Sequence, residues 1–99
     1  MALVRVMYWK GIPYAVRATE GTERASRQLP QEFQEAVDAA AMASGETSQE
    51  DYQAGFVWGA PEERPGAPAE IADRVVAEII AAYPKEILNV MARAGGRKA

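Results

Sequence analysis

Histidine and cysteine are both absent from the 99 residues, which narrows the chemistry open to this chain. Disulfide scaffolds, zinc fingers, thiol nucleophiles, thiolate-bound clusters and imidazole acid–base catalysis all fall away. Serine occurs only at Ser26, Ser44 and Ser48, none of them in a nucleophile elbow. Gly55-x-x-x-Gly59 lacks the lysine that would make it a phosphate loop. Carboxylates remain. Glu62-Glu63, Glu32 with Glu35, Glu35 with Asp38, and Glu50-Asp51 are the pairs close enough in sequence to share acid and base roles. Such roles need burial to separate the two pKa values. On the outer face of a helix the same residues serve solvation, and that is the expected role. The alternating acids of a calcium loop are missing. The expectation is a protein with no catalytic residue, no metal and no cofactor.

A second constellation interleaves aromatic and basic side chains: Tyr8-Trp9-Lys10, then Arg17, Arg24 and Arg27. Stacking rings beside guanidinium groups can hold single-stranded nucleic acid. The net charge of −3 and a pI near 5.0 weigh against general affinity for it. That net charge hides an asymmetry. Residues 1–30 carry five cations against two acids, residues 31–92 carry three against twelve, and residues 93–99 add three cations. Trp9, Tyr14, Phe56 and Trp58 are also of the types that dominate protein–protein contacts, although a small core needs large side chains too. The leading expectation is a non-enzymatic protein-interaction or accessory module. It would meet a protein partner or a second copy of itself through Trp9, Lys10, Arg17, Arg24, Arg27 and Trp58. A nucleic-acid-binding role for the same basic hairpin is the alternative.

These side chains need a sheet to present them. Residues 3–9 are β-branched and aromatic, with Val4, Val6 and Tyr8 on one face and Leu3, Arg5, Met7 and Trp9 on the other. Lys10-Gly11 supplies a two-residue turn, and residues 12–20 resume the period of two. Pro13 belongs at a strand start or on a sheet edge. Residues 21–29 read as either loop or strand. Pro30 opens a helix whose apolar stripe is Phe33, Ala36, Val37, Ala40 and Ala41, with Gly45 as its stop. Thr47 or Ser48 caps a short second helix around Tyr52. Residues 54–61 form a third strand with Phe56 and Trp58 on one face. Glu62 to Pro68 reads as a loop. Residues 69–83 make a helix with the stripe Ile71, Val75, Val76, Ile79 and Ile80, and Pro84 separates it from a last helix carrying Ile87, Leu88 and Met91. This order predicts an α+β fold: a small antiparallel sheet, made of the N-terminal hairpin and a third strand, covered on one face by helices. Residues 1–92 would be one domain and 93–99 a flexible basic tail. With no apolar run of membrane-spanning length and no signal peptide, a cytoplasmic location and no membrane contact are expected.

Tyr8-Trp9-Lys10-Gly11-Ile12-Pro13, Arg27 to Asp38 around Leu29-Pro30-x-x-Phe33-Gln34-x-Ala36, and Ala40-Ala41-Met42 together resemble a small bacterial domain family named virulence factor. The resemblance runs over roughly residues 4–83. The same domain forms the C-terminal part of longer proteins named conserved virulence factor C. The chain departs from the family pattern at Gly11 and at Tyr14-Ala15. The resemblance implies a domain that stands alone or is appended to other modules. It implies no reaction, cofactor or site residue.

Overall fold

The computed structural model describes residues 1–45 and 48–95. Five antiparallel strands and four helices follow the order β1 (Ala2–Trp9), β2 (Ile12–Glu20), β3 (Glu23–Gln28), α1 (Gln31–Ser44), α2 (Gln49–Ala54), β4 (Phe56–Trp58), β5 (Glu62–Arg64), α3 (Pro68–Ala82) and α4 (Lys85–Arg93). The fold is α+β, with strand order β3-β2-β1-β4 and β5 also paired to β1. Of the two readings of residues 21–29, the strand is the one formed, over Glu23–Gln28. Two predicted features change: the strand expected over 54–61 is confined to Phe56–Trp58, and the loop expected from Glu62 to Pro68 contains β5, so the sheet has five strands rather than three.

The hairpin forms where the alternation and the turn agree. Lys10 and Gly11 have φ of 46° and 92°, the pair of positive angles that a twist-matched two-residue turn requires. The Lys10 N–H donates to the Gly55 carbonyl, which ties this turn to the end of α2. Register then shifts between Met7 and Tyr8, with Tyr14 as the additional residue of β2. Pro13 lies beside this irregularity, near the start of a strand that is interior to the sheet. Its missing N–H is therefore tolerated without an edge position.

β3 has little strand propensity. Its sequence is Glu-Arg-Ala-Ser-Arg-Gln, and only Ala25 is buried. A tight turn at Gly21-Thr22 and continuous pairing to β2 hold it in place. Its charges suit an edge strand, where they discourage pairing with another chain.

The core lies between the sheet and α1 and α3. Val4, Val16, Ala18 and Ala25 meet Phe33, Val37 and Ala40 of α1 and Ile71, Ala72, Val75 and Ile79 of α3. Both helical stripes run at three- and four-residue spacing, as their burial requires. Pro30 is the residue before the first turn of α1 and Gly45 its left-handed C-cap. Ser48 Oγ accepts from the Asp51 N–H and caps α2, whereas the alternative cap, Thr47, lies outside the described residues. Pro84 precedes α4, which packs on α1 through Leu88 and Ala92. α4 extends to Arg93, the first residue of the expected tail, and residues 96–99 lie outside the described residues. Among the described residues no helix is long and apolar enough to cross a membrane.

Candidate functional site

The face of the sheet turned away from α1 and α3 is the candidate site. Register determines its composition. Leu3 stands opposite Thr19, Arg5 opposite Arg17, and Met7 opposite Ala15. β3 adds Arg24, Ser26 and Gln28 alongside Thr19, Arg17 and Ala15. Met7 also faces Trp58 of β4, and Leu3 faces Glu63 of β5.

Two arginines are held flat on this surface. The Arg17 guanidinium lies over the Trp58 ring, 4.5 Å from its centroid. Stacking of that kind stabilises by about 1 kcal/mol at a partly exposed site. Arg17 Nε is enclosed and has no hydrogen-bond partner among the described residues. Arg5 Nε donates to the Gly59 carbonyl at 3.1 Å. Arg5 and Arg17 are direct cross-strand partners, a like-charge arrangement that is unfavourable by itself. Among the described residues neither they nor Arg24 form an ion pair with a carboxylate.

Arginines elsewhere behave differently. Arg27 points to the helical side, where its Nε meets Asp73 of α3 at 2.7 Å. Arg64 makes a two-pronged contact with Glu78, at 2.7 and 2.8 Å, and lies near Glu62. The Arg64 hydrogen bonds hold the Glu78 carboxyl below its usual range, and Glu78 in turn keeps Arg64 protonated. These pairs fasten the sheet edge to α3.

The six residues singled out from sequence therefore separate. Arg17 and Trp58 are in contact on the open face, and Arg24 is exposed on the neighbouring edge strand. Lys10 is in the turn at the other end, with Nζ 5.6 Å from the Trp9 ring. Arg27 leaves the group through Asp73. Trp9 is a correction: it is 0% exposed and belongs to the core. Simple alternation places Trp9 beside Arg5 and Met7, but α2 crosses over that end of the face. The indole N–H donates to the Tyr52 carbonyl at 2.7 Å, and the Tyr52 ring packs 5.9 Å away. Phe56 completes the cluster against Tyr52 and Tyr14. Arg5 is not among those six, although alternation alone puts it on the same face as Met7; the pairing adds that it stands directly opposite Arg17.

Tyr52 also reaches α1, its hydroxyl donating to Asp38 Oδ1 at 3.2 Å. Burial and the adjacent Asp38 carboxylate push the Tyr52 phenol up to about 12. Burial raises Tyr8 as well, with Tyr83 nearby. In an unfolded chain a tyrosine ionises near 10. Folding stability should therefore hold up to pH 10 and decline as pH rises from 10 towards 12, because the unfolded state releases the proton first. Denaturant midpoints measured from pH 8 to 11.5 should show this fall. Tyr52→Phe should flatten it and leave the smaller Tyr8 part, and an unchanged slope in that variant would refute the assignment.

The carboxylate pairs occupy open positions. Every described Asp and Glu is exposed. Glu35 accepts from Gln31, and Asp38 accepts from Tyr52. Glu32 and Glu35 line a shallow groove of about 210 Å³ between α1 and α4, across from Lys85 and Asn89. Among the described residues no group of three or more acids is placed to hold a metal ion.

No curated protein and no solved structure matches the chain. A family match covers most of it, from Met7 in β1 to Met91 in α4, under the description virulence factor. With the end of β1, the Lys10-Gly11 turn and β2, the Leu29-Pro30 entry to α1 and the α2–β4 segment all inside that span, the chain belongs to the virulence factor family.

Proposed function

We propose that this domain is a non-enzymatic binding module and that the open face of β1, β2 and β3, with Trp58, is its contact surface. The observation that carries this reading is the state of Arg17. Its guanidinium is immobilised on Trp58 beside Arg5, and no carboxylate of the described residues neutralises either one. Tryptophan and arginine together are the side chains most often decisive in protein contacts. Ordering an arginine before a partner arrives also reduces the entropy lost on binding. The exposed carboxylates supply a solvated helical layer on the opposite side and are read as solubility, not catalysis.

Because the chain has no cysteine, a single introduced thiol is unique. Ser26→Cys places one on the open face and Ala81→Cys places one on the exposed side of α3. Each is labelled with a benzophenone maleimide and irradiated in an extract of the source cells. A discrete adduct is expected from position 26 in clear excess over position 81. An adduct at twice the chain mass identifies the partner as a second copy. Equal yields from both positions would rule out this face as the contact surface.

A further inference from the structure

We infer that the partner of the open sheet face is an acidic, extended peptide segment, whose side-chain carboxylates bridge Arg5, Arg17 and Arg24. This inference rests on the reading of that face as the contact surface. The first support is charge. By register, the face carries these three arginines and one acid, Glu63. The chain as a whole has an excess of acids, yet among the described residues none pairs with those three arginines. Arg27 and Arg64, on the helical side, do find carboxylates. The open face therefore holds an uncompensated positive charge that a carboxylate-rich segment complements.

Spacing is the second support. Arg5 and Arg17 face each other across one strand interval, about 5 Å. Arg24 lies on the next strand, diagonal to Arg17, and diagonal neighbours stand roughly 7 Å apart. In an extended peptide every second side chain lies on the same side, also about 7 Å apart. Acidic residues at alternate positions, running across the strands, match the spacing at which the three arginine side chains leave the sheet. Guanidinium and carboxylate match as planar, two-pronged partners.

A nucleic acid shares the charge and the repeat, so the rings decide between them. Binding a single strand needs free aromatic faces for bases. Trp9 is buried and Tyr8 is partly buried, so neither offers an open ring. Trp58 already carries Arg17 on its ring. Glu63, on β5, is the one acid that shares this face, whereas Glu20, Glu23 and Glu62 fall on the helical side of their strands. A single acid at one margin leaves room for a short acidic segment.

The test is fluorescence anisotropy with three fluorescein-labelled probes: an octapeptide of alternating Glu and Ser, the matching Gln–Ser octapeptide, and an eight-nucleotide oligothymidylate. The Glu–Ser peptide should bind at low salt and weaken as salt rises, with the Gln–Ser peptide silent. Arg24→Glu changes an exposed edge residue and should weaken binding about fivefold. Glu63→Lys removes the acid of this face and should tighten binding about twofold to fivefold. This opposite sign is what a merely structural effect would not produce. Oligothymidylate binding without peptide binding overturns the inference in favour of nucleic acid. Silence of all three probes also overturns it. If position 26 still gives its preferential adduct, the contact surface stands and only the acidic segment is wrong. If that preference is lost too, both readings fail.

Discussion

Trp9→Ala should unfold most of the stability this domain has. The side chain is 0% exposed and is the largest of the fully buried residues. Removing a buried tryptophan down to Ala typically costs about 3–5 kcal/mol. The Tyr52 carbonyl loses its indole donor as well but keeps the Gly55 N–H, so the lost hydrogen bond adds about 0.5–1.5 kcal/mol. A domain of this size has a total stability of the order of 5–15 kcal/mol, so the variant should be only marginally folded at 25 °C. The measurement is denaturant unfolding followed by far-ultraviolet circular dichroism. The midpoint should fall to a small fraction of the wild-type value. A variant that unfolds close to the wild type would return Trp9 to the surface and revive it as a contact residue. The result therefore separates two roles that residue type alone leaves equivalent, anchor of a partner and anchor of the fold.

That ambiguity shows which parts of the molecule were legible in the sequence. The hairpin was, because alternation over residues 3–9 and 12–20 and a Lys-Gly turn all specify the same pairing. α1 and α3 were, because apolar residues recur with helical spacing and Pro30, Gly45 and Pro84 mark their ends. The remaining strands were not. β3 is polar, and its extended form comes from a turn and a neighbour that offers a free edge. β5 lies in a stretch rich in proline and glycine, and pairing to Ala2–Val4 with the Arg64–Glu78 contact specifies it. Both depend on residues far away in sequence, which local propensity does not report. The same limit applies to the site. Alternation correctly places Arg5, Met7 and Arg17 on one face, but the period of two does not reveal that α2 closes over one end of it. Trp9 and Phe56 fall under that helix, and Trp58, two residues beyond Phe56, stays half open against Arg17.

The closure of α2 over Trp9 leads to the second large effect, at Gly55. Its backbone angles, φ −77° and ψ −15°, are ordinary for any residue, so glycine is not there for conformational freedom. It is there for space. A Cβ on residue 55 would lie 2.4 Å from Trp9 Nε1 and 2.7 Å from Cε2. Neither side can yield cheaply. The indole is fully buried and tied to Tyr52, and the Gly55 carbonyl anchors the Lys10 turn. Gly55→Ala should therefore destabilise by about 3 kcal/mol, the upper end for forcing a methyl group into a packed core. Gly21→Ala is the natural comparison. Residue 21 has φ 59° with open space around its Cβ, so it carries a backbone penalty of about 1–2 kcal/mol and no clash. A double-mutant cycle distinguishes steric conflict from any general intolerance of α2. The atoms nearest the added methyl belong to the pyrrole half of the indole, which phenylalanine lacks. Gly55→Ala should therefore cost much less in a Trp9→Phe background, with a coupling energy of about 1–2 kcal/mol. Equal costs in both backgrounds would mean that the indole is not what excludes a side chain at residue 55. The packing of α2 on Trp9, which keeps the open face short and leaves it to Arg5, Arg17 and Trp58, would then need another explanation.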